Sequence, residues 1–395
     1  MDSIFADRMQ NVPRSFIREI LKVSLDPQVI SFAGGLPNPD FFPVKELEAA
    51  TAKVFAEAGS TALQYSNSEG NVTLREQIAQ RYKKQMDIDV SVEDILVTCG
   101  SQQGLDLIGK IFVNDHDPVL IEEPGYLGAI QALSVFRPEF VPVPLVASGV
   151  DCEKLEEKVA KTSSQLFYCV PCFQNPSGLS YTEEVVQKVS ELAEKYGFYV
   201  VEDNPYGELR FRGQAASSFY KYIPERTILL GTFSKIVAPG FRLGWIAAPP
   251  AIREKLLVAK QASDLHTSNI GQMIISQYLA DNDLDGHLNK IKKCYGDNCK
   301  EMERVLKETF PGDVTFTSPD GGMFLWGQLP EGMEAMKLFD YAVKEKAVYV
   351  PGEPFYTTDT PTRSFRLSYS CVDSVTIKEG LERFARAYKA YKASL

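Results

Sequence analysis

Lys235 lies in GTFSKIVAPGFRLGW, residues 231–245, directly after the apolar run RTILL. A lysine is strongly hydrated and ordinarily faces solvent. At the end of a buried strand its amine needs a use. Other apolar runs end in equally reactive company. ILVTCG leads to Gly100, Ser101 and Gln102 at a helix start, and VLIEEP to Gly125 and Tyr126. FYCVPCF leads to Gln174, Asn175 and Pro176; FYVVE to Asp203, Asn204, Pro205 and Tyr206; TILLGTF to Ser234 and Lys235, with Arg242 beyond. Ligands of open parallel sheets bind outside the carboxyl ends of the strands, so these side chains are expected in one crevice.

Together they suit a flat, phosphorylated pyridine aldehyde. Its phosphate needs backbone N–H groups at a helix N-terminus and an arginine. Its ring needs an aromatic face. Its ring nitrogen, to stay protonated as an electron sink, needs a carboxylate. Its aldehyde needs an amine for a Schiff base. The molecule with these features is pyridoxal 5'-phosphate, with Lys235 as its covalent anchor. Singly, each residue has an ordinary explanation. Asp203 and Ser101 are the type that caps helices, Asn175 in NPSG is a turn former, and Tyr126 and Tyr206 suit loop and sheet-edge packing. Arg242 and Arg366 suit surface ion pairs. These explanations fail jointly, because the residues fall at successive strand ends.

The elements that position them alternate along the chain. Strand-like DILVTCG, DPVLIEEPGY, SQLFYCVPCF, FYVVEDNPYG and ERTILLGTFSK are separated by amphipathic runs such as SQQGLDLIGKIF and TEEVVQKVSELAEKYG. That pattern predicts right-handed βαβ units and a mostly parallel, helix-covered sheet. LDGHLNKIKKCYGDNCKEMERVLKETF predicts a long helix crossing to a smaller C-terminal unit, whose strands lie in DVTFTSPDGGMFLWGQL, AVYVPGEPF and RSFRLSYS. The first forty or so residues are too few to fold alone and are expected to pack beside it.

Composition narrows the classes. At 395 residues the chain exceeds what one core usually supports. A net charge of −10 disfavours nucleic-acid binding. The start, MDSIFADRMQ, lacks the features of a secretory signal, and no apolar run approaches the roughly 18 residues of a membrane span. Seven scattered cysteines fit reduced thiols in a cytoplasm better than a disulfide framework. Cys169 and Cys172 form C-V-P-C, the spacing of redox sites and of half a zinc site. The first cysteine lies inside a strand, however, and Cys294 and Cys299 do not supply a matching second pair. His116, His266 and His287 form no cluster either, so no metal is expected.

FAGGLPNPDFFP, LQYSNSEGNVTLREQIA, FQNPSG, VEDNPYGELRF, GTFSKIVAPGFRLGW and RSFRLSYS, in that order, give a resemblance along nearly the whole chain. The sequence resembles the fold-type I, aspartate-aminotransferase-like pyridoxal-phosphate enzymes, within them most the 2-aminoadipate and kynurenine aminotransferases. The resemblance implies an α/β large domain with a mostly parallel seven-stranded sheet, over residues 46–285. It implies a smaller α+β domain over 286–395, with 1–45 packed against it. It also implies residue roles. Lys235 anchors the cofactor and moves the proton at the substrate α-carbon, and Asp203 pairs with the pyridine nitrogen. Asn175 and Tyr206 bond the ring hydroxyl oxygen, and Tyr126 stacks on the ring. Ser101, Gln102, Ser234 and Arg242 hold the phosphate. Tyr65 reaches the phosphate of a neighbouring subunit, implying a homodimer with shared sites. Arg366 grips the α-carboxylate and Gly35 lies on the loop that closes over it. PRSFIREILK, residues 13–22, resembles a helix covering the site, with Arg18 meeting a side-chain carboxylate.

The implied activity moves an amino group between an L-amino acid (2-aminoadipate, glutamate, aromatic or branched-chain) and a 2-oxo acid, with 2-oxoglutarate as acceptor. A β-lyase or decarboxylase shares these anchors. A pyridoxal-phosphate-sensing regulator needs a DNA reader ahead of FAGGLP, which begins at residue 32 here. Cys172 and Phe241 depart from the usual pattern, in which a small polar and an aliphatic residue are commoner, and both are expected near the cofactor.

Overall fold

The apolar runs become strands in the expected order. In the computed structural model, residues 4–9, 20, 26–310, 312–358 and 360–395 are described. The strands are β1 (Ile30–Ser31), β2 (Ile95–Thr98), β3 (Pro118–Glu123), β4 (Glu139–Val146), β5 (Gly149–Val150), β6 (Leu166–Cys169), β7 (Tyr199–Asp203) and β8 (Thr227–Thr232). They continue with β9 (Gly244–Ala247), β10 (Thr315–Phe316), β11 (Phe324–Gln328), β12 (Ala347–Val348), β13 (Val350–Pro351) and β14 (Ser364–Ser368). The large sheet runs β2-β9-β8-β7-β6-β3-β4-β5. β8, β7, β6, β3 and β4 are parallel neighbours. The eighth strand is the two-residue β5, folded back on β4. β2, β6, β8 and β9 are buried throughout, which is why they read as unbroken apolar runs rather than alternating ones.

β9 is not a continuation of the loop after Lys235. A turn at Pro239–Phe241 and Arg242 in the left-handed region, φ 53°, reverse the chain. It returns antiparallel between β2 and β8. Gly231 faces Trp245 in that pairing. A Cβ on Gly231 would sit 2.3 Å from the indole, so only glycine lets the two strands close.

The helix Leu284–Thr309 buries Leu284, Leu288, Ile291, Tyr295, Cys299, Met302 and Leu306, the spacing of one apolar face at 3.6 residues per turn. It leads to a second, antiparallel sheet, β10-β11-β14-β13. β1 pairs with β12 and carries residues 32–36 to the end of β14. There Ser368 N–H donates to Phe32 O at 2.8 Å and Ser370 Oγ to Leu36 O at 2.7 Å. Of the expected helix over 13–22, only buried Ile20 is among the described residues; Arg18 lies outside them.

Candidate active site

A cavity of about 330 Å³ opens at the carboxyl ends of the large sheet and is closed from the other side by Gly35 and Arg366. Ser101, Gln102, Tyr126, Asn175, Asp203, Tyr206, Ser234, Lys235 and Arg242 line it too. Eleven residues picked from the sequence therefore meet here, brought from seven separate chain segments.

At one end β2 runs into the helix Gly100–Phe112, whose first N–H groups have no intrahelical partner and favour an anion. Gly100 has φ +72°, and a Cβ there would lie 2.7 Å from Arg242 Nη2. The arginine is thus laid against the helix start, and among the described residues no carboxylate pairs with it. Ser234 Oγ sits 2.9 Å from Thr232 Oγ1. Gln102 Nε2 donates to Gly128 O at 2.9 Å, tying the helix start to the Tyr126 loop. Gly100→Ala should push the guanidinium away and weaken pyridoxal 5'-phosphate binding by about 10-fold or more, the worth of one hydrogen bond to a charged group. Equilibrium titration of the apoprotein measures this, and unchanged affinity would remove Arg242 from the anion site.

Asp203 ends β7 on the cavity wall and is 1% exposed. Tyr168 donates to its Oδ2 at 2.7 Å, while Oδ1 is buried with no partner among the described residues. Burial pushes this carboxyl up to about 7, and the Tyr168 hydrogen bond opposes the rise. A cationic N–H brought to Oδ1 would return it to the carboxylate form. Lys235 Nζ donates to Gly35 O at 2.8 Å and lies 6.0 Å from the Tyr206 ring. Burial, then the positive charge of Arg366, pulls its ammonium down to about 8. A substantial share is neutral amine just above neutrality, as a nucleophile or base requires.

Arg366 is fully buried in β14, over the Phe324 ring at 4.2 Å. Its Nη1 donates to Asn175 Oδ1 at 2.7 Å and its Nη2 to Ala33 O at 2.8 Å. Nε has no partner among the described residues, leaving an N–H for an incoming carboxylate. Asn175 in turn donates from Nδ2 to Tyr206 Oη at 3.3 Å. This donor set fits a phosphorylated pyridine aldehyde: a guanidinium at a helix start with no carboxylate partner among the described residues, a half-buried tyrosine, an orphaned carboxylate oxygen and an amine.

Tyr65 is not in this cavity. It is 80% exposed, edge-on to His266, and lines a separate pocket with Ser66, Asn71 and Asn269. Cys172 and Phe241 do not line the cavity, contrary to expectation. Cys172 faces a larger crevice, about 670 Å³, which shares Pro205 and Thr232 with the first. Phe241 stands near Gly271. The larger crevice lacks both Lys235 and Asp203. Sequence reasoning missed Tyr168 and Phe324. The signal for the first lay in which strands pair, which the linear sequence does not show. Tyr168 pairs with Val201 across β6 and β7, and Val201 shares its face with Asp203 two residues on.

Residues 28–384 match the family profile described as aminotransferase class I and II. The chain is 41% identical to aromatic-amino-acid aminotransferase 1 of Thermococcus litoralis, covering 98% of this chain and 94% of that protein. It is 38% identical to the 2-aminoadipate transaminase of Thermus thermophilus, covering 97% and 96%. Its fold is similar to the alpha-aminoadipate aminotransferase LysN of Thermus thermophilus, solved with N-(5'-phosphopyridoxyl)-L-leucine. The TM-score is 0.92 at 37% identity, over 99% of this chain and 98% of that one.

Proposed function

The chain belongs to the class I and II aminotransferases, and from that membership we propose that this cavity binds pyridoxal 5'-phosphate and transfers an amino group between an L-amino acid and a 2-oxo acid. Once bound, the cofactor supplies an electron sink for the bonds at the substrate α-carbon. The observation that carries the reading is the unpartnered Oδ1 of Asp203 in the cavity that also holds the amine of Lys235. Lys235 anchors the aldehyde and carries the proton to and from the α-carbon. Asp203 keeps the pyridine nitrogen protonated. Asn175 and Tyr206 hold the ring hydroxyl oxygen, and Tyr126 covers the ring face. Ser101, Gln102, Ser234 and Arg242 bind the phosphate. Arg366 takes the α-carboxylate, and the Gly35 segment shields the site from water.

Aromatic donors and 2-aminoadipate are supported by the names of the two relatives. Glutamate, branched-chain donors and 2-oxoglutarate as acceptor complete the proposed range. A panel of amino donors with 2-oxoglutarate, read as glutamate formed, tests the proposal, and no product from any donor would overturn it. Tyr65, together with exposed Leu63, Val72 and Leu265, supports a homodimer in which Tyr65 completes the neighbouring site. The division at 285/286 is supported by the separate sheets on either side of the helix Leu284–Thr309, and the packing of 1–45 with the smaller domain by the pairing of β1 with β12. A cytoplasmic location is supported by the seven free cysteines, and no described helix is long and apolar enough to cross a membrane.

The two arginines should fail differently. Arg366→Ala should lower kcat/KM for every donor by about 10- to 100-fold, the range for a lost hydrogen bond to a charged group. Arg18→Ala should lower it similarly for glutamate and 2-aminoadipate and leave aromatic and aliphatic donors unchanged. Single-turnover kinetics with each donor separates the cases. An equal loss for leucine and glutamate in Arg18→Ala would remove Arg18 from substrate recognition.

A further inference from the structure

Asp203 has two oxygens in different situations. Oδ2 takes the Tyr168 phenol at 2.7 Å, and Oδ1 is left without a partner. Tyr168 is itself 1% exposed and anchored in β6, next to β7 in the sheet. Its hydroxyl stays protonated and able to donate, because burial and the Asp203 charge push the phenol well above its ordinary range. We propose that Tyr168 is a positioning residue for transamination: its hydroxyl pins the Asp203 carboxylate so that Oδ1 alone serves the cofactor nitrogen, and holds that carboxylate ionised in a dry site. The inference rests on the cofactor reading above and deepens it.

The geometry leaves this task to Tyr168. The other titratable groups that sense the Asp203 charge are Tyr126 after β3, Glu122 in β3, Cys169 in β6, Tyr206 after β7 and Tyr82 from the helix Val72–Met86. Among the described residues, Tyr168 supplies the hydrogen bond to this carboxylate. Glu122 is committed elsewhere, to Tyr181, Gln174 and the Val170 N–H. Without the phenol, both oxygens of Asp203 are unpaired, the carboxylate is free to turn, and its neutral form gains. The direction is fixed: losing a donor to the charged form raises the Asp203 pKa.

Tyr168→Phe keeps the ring and its packing and removes only the hydroxyl. Its Asp203 titration, followed by carboxyl infrared absorption in the apoprotein and assigned by its disappearance in Asp203→Asn, should move up by about one pH unit or more. Glu122, also pushed to about 7, remains in both backgrounds and is thereby distinguished. Pyridoxal 5'-phosphate affinity at pH 7.5 should fall about 10-fold, with the loss growing as pH falls. In the Asp203→Asn background the same substitution should change affinity by less than about twofold, because the two residues act as one unit. Replacing Tyr168 by 3,5-difluorotyrosine, which preserves shape and strengthens donation, should shift the titration down and guards against a misfolded Phe variant. An unchanged Asp203 titration, or an equal affinity loss with and without Asp203, overturns the role of Tyr168. A wild-type protein that does not bind pyridoxal 5'-phosphate overturns the cofactor reading itself, and the two failures are told apart by that control.

Discussion

Lys235→Ala should give a folded protein whose transamination rate is lower by at least about 1,000-fold, because the variant loses both covalent anchoring and the group that moves the α-proton. That corresponds to about 4 kcal/mol or more in the barrier. Among the described residues lining the cavity Lys235 is the one lysine, so none of them offers a second amine to substitute. Its environment is tuned to the task. Burial and Arg366 pull the ammonium down to about 8, so the reactive neutral amine accumulates as pH rises through that value. In the apoprotein, labelling of Lys235 by an amine-specific reagent should therefore climb between about pH 7 and 9, well below the range of exposed lysines. Borohydride treatment of the loaded wild type should fix a phosphopyridoxyl mass on the peptide carrying Lys235. Turnover near the wild-type rate in the alanine variant would end the anchoring assignment, and so would a borohydride-fixed mass on another peptide.

Asp203→Asn should retain the cofactor yet lose at least about 100-fold in rate, worth roughly 2.7 kcal/mol. Retention follows because Lys235, Arg242 and the helix start at Gly100 are untouched. The loss follows because Asp203 is the one acidic residue among the described residues that line the cavity, and an amide cannot hold the pyridine nitrogen protonated. The apoprotein offers a second readout with a definite sign. Burial raises the folded-state pKa to about 7, above the ordinary carboxyl range. The folded state therefore binds more protons than the unfolded one between the two values. Stability from this group is complete in acid and is lost as pH rises towards 7. The wild-type apoprotein should lose more stability over that interval than Asp203→Asn, in which the buried charge never forms. Glu122 and Glu202, also raised to about 7 by burial, contribute to both proteins and cancel in the difference. Identical stability–pH profiles, or a near-wild-type rate with cofactor bound, would move the electron-sink role elsewhere.

The residues at successive strand ends were legible without coordinates because parallel strands joined by right-handed crossovers must present their carboxyl ends on one edge. Gly100, Asp203 and Lys235 needed only that rule. The long helix was equally legible, since its apolar face repeats at the helical period from Leu284 to Leu306. What a linear reading lacks is which strand lies beside which. Tyr168 and Asp203 are 35 residues apart, and they meet because β6 and β7 are sheet neighbours in a register that aligns Tyr168 with Val201. β9 enters the sheet against the direction of its neighbours because Arg242 adopts a left-handed conformation and Gly231 admits Trp245. Neither condition is visible as periodicity. Cys172 is three residues from Asn175, which lines the cavity, and yet opens onto another crevice, because the chain turns at Phe173, φ 51°. Local sequence determines which chemistry each strand end carries. Tertiary structure decides which oxygen of Asp203 is committed and which is free, because that depends on packing between strands distant in the chain.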